Sequence, residues 1–140
     1  MTPLDALQQV LAGEHAAVYG YGVVGARLAG GPSERAAVSG WDAHRARRAA
    51  VSALVSAAGG EPVPAAAGYQ LGGPVTDPDQ ARALAAQIEQ RAAGTYATLV
   101  GAVDGAVRSS AAGWLVDAAV RAATWSGQPL TFPGLTGPPG

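Results

Sequence analysis

The 140-residue chain is 49% hydrophobic and only 14% charged, too apolar for a disordered segment and of a size for one domain around one core. A net charge of −1 provides no basic field for nucleic acid, and the lack of cysteine removes disulfides, thiolate catalysis and Cys-ligated zinc. Aromatics are sparse at 6% and alanine is abundant, which favours helices packed closely over small side chains.

The first predicted helix spans 3–29. Thr2-Pro3-Leu4-Asp5 supplies a capping hydroxyl, a proline at the first helical position and an acid in the first turn. Leu4, Leu7, Leu11, Val18, Tyr21 and Leu28 follow at helical spacing, until Gly30-Gly31-Pro32 interrupts. Ser33 is placed to cap a second helix, 34–58, with Glu34 in its first turn and Trp41, Val51, Leu54 and Val55 along its stripe. The basic cluster Arg45, Arg47 and Arg48 reads as lining this helix rather than as a phosphate site.

A stretch rich in Pro, Gly and Ala, 59–76, forms a long connection. Asp77-Pro78-Asp79-Gln80 then signals a third helix, 78–104, carrying Leu84, Ile88, Ala92, Tyr96, Leu99 and Val103. Gly105 turns the chain into a fourth, 106–126, carrying Val107, Trp114, Val116, Val120 and Trp125. The tail, 127–140, is proline-rich, and Leu130, Phe132 and Leu135 are expected to pin its first half to the bundle.

Helices of this length run roughly 30–40 Å. An 18-residue connection is long enough to traverse that distance, so the second and third helices are expected to run parallel, joined by a crossover. The longest apolar run, 16–26, is shorter than the about 20 residues a bilayer span requires. Neither a span nor a secretory leader is expected, and a cytoplasmic location follows as the expectation.

Gly20-Tyr21-Gly22-Val23-Val24-Gly25 matches the dinucleotide-binding fingerprint G-x-G-x-x-G, with Asp42 near the place of a ribose-binding acid. The context fails, because Gly30-Gly31-Pro32 follows too soon and no Val/Ile runs exist for a parallel sheet. The glycines are read instead as points of close helix approach.

The informative signal is a set of polar residues on apolar stripes. Glu14 fills a gap in the first helix, His44 and Arg48 share a side with Trp41 and Val51, Glu89 lines up with Ala85 and Tyr96, and Trp114 and Trp125 bracket Asp117 and Arg121. With the outer two helices running up and the inner two down, Glu14, His44, Arg48, Glu89 and Asp117 fall within about 5 Å of the midplane and Arg121 within roughly 8 Å. A buried polar network at one depth is therefore expected. Tyr19, Tyr21 and Tyr96 read as core residues with one bonded hydroxyl.

The segments 11–19, 41–48, 85–100, 118–127 and 132–135 resemble the ferritin-like superfamily, and in particular a small actinobacterial ferritin-like family of unknown function. The resemblance implies a ferritin-like four-helix bundle. In metal-loaded relatives two helices each supply a Glu and two each supply Glu-x-x-His. Glu14 and Glu89 match the single glutamates. The second helix has His44 in place of an acid and Arg47 in place of the His, and the fourth has Asp117, then Val120 and Arg121.

Arg48 and Arg121 are accordingly expected to supply permanently the positive charge that metal supplies elsewhere, which leaves no catalytic residue and no cofactor. The alternative keeps one Fe, Mn or Zn ion on Glu14, His44, Glu89 and Asp117, with oxidase or iron-handling activity. A non-catalytic scaffold or interaction module is the preferred role. It would be a homo-oligomer through an Ala/Gly-rich helix side, with neither nucleic acid nor membrane as partner.

Overall fold

A computed structural model describes residues 1–128 and 133–134. Four helices account for most of it: α1 (Pro3–Ala26), α2 (Gly31–Ala57), α3 (Pro78–Ala102) and α4 (Gly105–Ser126). No strand occurs among the described residues. None of the helices is long and apolar enough to cross a membrane.

The expected starts of α1 and α3 are present. Thr2 and Asp5 form a reciprocal capping box, in which the Asp5 amide donates to Thr2 Oγ1 at 3.1 Å and the Thr2 amide donates to Asp5 Oδ2 at 3.0 Å. Asp77 Oδ1 accepts from the Gln80 amide at 2.8 Å. The start of α2 differs from expectation. It begins at Gly31, not after Ser33, because a proline within the first turn lacks only an N–H that would be unpaired there anyway. Glu34 reaches back to the Gly30 amide at 2.8 Å in place of a hydroxyl cap. The first helix ends at Ala26, short of the predicted 29, and the Arg27 Nε then donates to the Val75 carbonyl at 2.9 Å. At the far end of α4, Gly127 adopts φ 74°, a left-handed conformation that stops the helix.

Side-chain pairs fix the topology. Moving up α1 from Glu14 to Tyr21 pairs with moving down α3 from Tyr96 to Glu89, so the two are antiparallel. The order is likewise reversed between α1 and α2, through Glu14–His44 and Tyr21–Gly40, and between α2 and α4, through Arg47–Asp117 and Ser39–Arg121. Thus α2 and α3 run parallel on opposite corners, and the 58–77 connection crosses the length of the bundle as expected. It climbs along α1. Gln8 holds it at Glu61 and Val63, His15 Nε2 lies 2.9 Å from the Val63 carbonyl, Tyr19 packs on Tyr69, and Arg27 holds Val75.

The core falls into two apolar clusters. One holds Leu7, Val10, Leu11, Val51, Val55, Leu99 and Val103, the other Val24, Leu28, Ala37, Ala81, Leu84 and Ala85. Between them, at mid-height, lie the fully buried Glu14, His44 and Glu89. Of the three glycines in the fingerprint, only Gly20 serves close approach, against Ile88, whereas Gly22 and Gly25 have open space beside them. Gly134 lies on α3 at Ala93 and Ala97. Leu130, Phe132 and Leu135 fall outside the described residues.

Candidate functional site: a buried polar layer

Three of the six expected residues meet at the centre. His44 Nδ1 lies 2.6 Å from Glu14 Oε2, and its Nε2 lies 3.0 Å from Glu89 Oε1. Both ring nitrogens face carboxylate oxygens that only accept, so both must donate, and the ring is an imidazolium. Burial alone would lower the His44 pKa, but hydrogen bonds and charge from the two glutamates outweigh it and raise it to about 9.

Two tyrosines complete the layer. Tyr21 of α1 donates to Glu89 Oε1 of α3 at 2.6 Å, and Tyr96 of α3 donates to Glu14 Oε1 of α1. The pairing is reciprocal, because each helix carries a glutamate and, seven residues later, a tyrosine. Seven residues are two turns, which puts both on one side of the helix. In an antiparallel pair each tyrosine then lies level with the other helix's glutamate. Each hydroxyl also accepts an N–H, Tyr21 from Trp125 Nε1 at 3.0 Å and Tyr96 from Arg47 Nη1 at 3.3 Å. Burial, reinforced by the facing carboxylate, raises both phenol pKa values well above the ordinary range. This double Glu-x6-Tyr spacing was the signal available in the sequence for two participants otherwise read as core.

A second cluster lies toward the α2–α4 side. Asp117 Oδ2 accepts from Arg47 Nη2 and, at 2.9 Å, from Arg121 Nε. Arg121 also donates to Ser39 Oγ at 3.2 Å. Burial would raise the Asp117 pKa, but the two guanidinium partners hold it below the usual carboxylate value. Burial would likewise weaken the charge on Arg47, yet Tyr96 and Asp117 outweigh it and raise its pKa. Through Arg47 and Tyr96 the two clusters form one chain of hydrogen bonds containing three carboxylates and three cations.

The arginine from α2 is Arg47 and not Arg48. Arg47 is buried, whereas Arg48 is half-buried and makes no ion pair among the described residues. Two stripes through His44 fit the sequence equally, one through Trp41 and Arg48 and the other through Gly40 and Arg47. The structure uses the second, because Gly40 admits the ring of Tyr21 to the interior. Trp41 lies at the edge of the core with Arg45 over its ring.

These residues do not fit a di-iron centre. Glu14 and Glu89 occupy opposite nitrogens of one imidazolium, and Asp117 is bound to two guanidinium groups. Among the described residues no group of three or more His, Asp or Glu side chains is arranged to hold a metal ion. Glu89 Oε2 is buried without a protein partner.

Fold and site together define a four-helix bundle with a long crossover and a charge-balanced polar layer at mid-height. The chain belongs to the family described as a domain of unknown function, DUF4439, which matches residues 6–137. It is similar to a conserved hypothetical protein, rv2844, from Mycobacterium tuberculosis, whose crystal structure superposes with a TM-score of 0.82 at 35% identity over 89% of this chain and 94% of that one. No curated protein matches the chain.

Proposed function

We propose that this is a non-catalytic, ferritin-like bundle in which protein-borne cations occupy the place of a metal centre, and that it works as a scaffold or interaction module. The observation that supports this most directly is His44 held between Glu14 and Glu89. The two carboxylates that would ligate metal in ferritin-like relatives share one imidazolium, whose nitrogens are both engaged. Such a network stabilises the interior only while every member is paired.

The test is elemental analysis of protein purified without chelator or affinity metal after growth with added iron, manganese and zinc. The expected result is well below one equivalent of any metal. A stoichiometric metal that is lost in both Glu14→Gln and Glu89→Gln would overturn the reading. The unpaired Glu89 Oε2 favours the alternative of a single bound cation, which the same measurement separates.

For the expected homo-oligomer contact through an Ala/Gly-rich helix side we assign the outer side of α4, where Val116 and Val120 are more than half exposed one turn apart and Gly113 is exposed beside them. A second copy of the chain is the proposed occupant. Light scattering that finds only monomer at high concentration would remove this assignment.

A further inference from the structure

A slot of about 110 Å³ lies between α1, α3 and the crossover, separate from the polar layer's own contacts. Ala17, Leu71, Leu84 and Ile88 make its walls apolar, and Tyr69 and Leu71 of the crossover roof it. Glu14 reaches its inner wall, but both Glu14 oxygens are already bonded to His44 and Tyr96. Arg91 also lines the slot, is exposed, and has no carboxylate partner among the described residues. Thr95 lies one turn further along α3.

An apolar slot with one unpaired cation on its lining is complementary to a short aliphatic chain that ends in an anion. An enclosed apolar cavity of roughly 150 Å³ is enough to hold a benzene ring. On that scale this slot takes an alkyl chain of about five carbons. We propose that it binds a free short-chain monocarboxylate, with the carboxylate on Arg91 and the chain directed inward between Leu84 and Ile88. This goes beyond the scaffold reading and is tested separately from it, since neither Arg91 nor Gly13 belongs to the polar layer.

Gly13 supplies a clean probe. It lines the slot, and a Cβ added there meets only Thr95 Oγ1, at 3.9 Å. Gly13→Leu therefore fills the slot, and the substitution favours the helix.

The experiment titrates the full chain with butyrate, pentanoate, hexanoate and octanoate, following the methyl resonances of Leu84, Ile88 and Thr95. Saturable shifts are expected, with affinity rising about fourfold per methylene up to the length the slot accepts and then levelling. Arg91→Gln is expected to weaken hexanoate at least about tenfold. Gly13→Leu should abolish the shifts with the melting temperature kept, and the surface control Arg35→Gln should change nothing. Three results would each overturn the proposal: no saturation up to the solubility of the acids, 1-hexanol binding as tightly as hexanoate, or binding untouched by both variants.

Discussion

Gly40 of α2 lies flat against Tyr21 of α1, so closely that an added Cβ would stand 2.7 Å from the tyrosine hydroxyl. That missing side chain lets the phenol pass α2 and reach Glu89. Gly40→Ala is expected to cost roughly 1–3 kcal/mol through overpacking, despite alanine's better helix propensity. Gly25→Ala, with nothing within 4 Å, is expected to stabilise by up to about 1 kcal/mol. Urea denaturation of the pair, compared with the parent, measures both signs.

His44 sets the response to alkali. Its pKa is raised from 6.5 in the unfolded chain to about 9 in the folded one, so its stabilising contribution is complete below pH 6.5 and is lost as pH rises through about 9. Denaturation midpoints should fall across that window. His44→Leu is expected to cost roughly 3–5 kcal/mol at neutral pH, because Glu14 and Glu89 are left buried without a cation. It should also flatten the pH dependence between those values. A parent protein equally stable at both ends of the window would refute the imidazolium assignment.

Arg47 and Arg48 are neighbours in sequence with opposite expectations. Arg47→Ala removes the link from Asp117 to Tyr96 and should cost about 2–4 kcal/mol, less than a fully buried pair because Asp117 is partly exposed. Arg48→Ala should stay within about 0.5 kcal/mol. Equal losses in a denaturant series would show that the register of α2 is misassigned.

Asp117 governs the acid side. Its folded pKa lies below the ordinary 3.8, so the contribution is present above that value and is lost as pH falls through the lowered one. Asp117→Asn should therefore unfold less steeply than the parent on acidification, as followed by circular dichroism.

The crossover depends on α1 side chains for its placement. Gln8 donates to the Glu61 carbonyl at 2.6 Å and accepts from the Val63 amide at 2.9 Å. Gln8→Ala is expected to lower global stability by about 1–2 kcal/mol and to speed limited proteolysis within residues 61–76. Unchanged cleavage would mean that Tyr19, Arg27 and His15 suffice to hold the segment.

Much of this arrangement is legible in the chain. Capping residues mark the starts of α1 and α3, and the length of the 59–76 stretch calls for a traverse. A glutamate or histidine breaking an apolar stripe locates the polar layer at Glu14, His44 and Glu89. The choice between Arg47 and Arg48 is not legible, because both stripes repeat at alternating steps of three and four. It depends on a tertiary fact, the Tyr21 ring lying over Gly40. The tyrosines were readable in principle from the repeated seven-residue spacing, but that spacing has meaning only once α1 and α3 are known to be antiparallel neighbours. The start of α2 was misplaced because Gly-Gly-Pro reads as a stop, although proline is at home in a first turn.

The reciprocal Glu–Tyr pairs join residues 68 and 82 apart in sequence, each linking the first helical hairpin to the second. They can form only where α1 and α3 dock, and only at one alignment. A slide of one turn between α1 and α3 would set Glu14 level with Ala93 or Leu99 and Glu89 level with Ala17 or Val24, and strand both hydroxyls. Apolar surfaces made largely of alanine and valine discriminate poorly between such neighbouring alignments. The polar layer therefore favours one docking of α1 against α3 over its one-turn neighbours, a preference that the smooth apolar faces alone supply weakly.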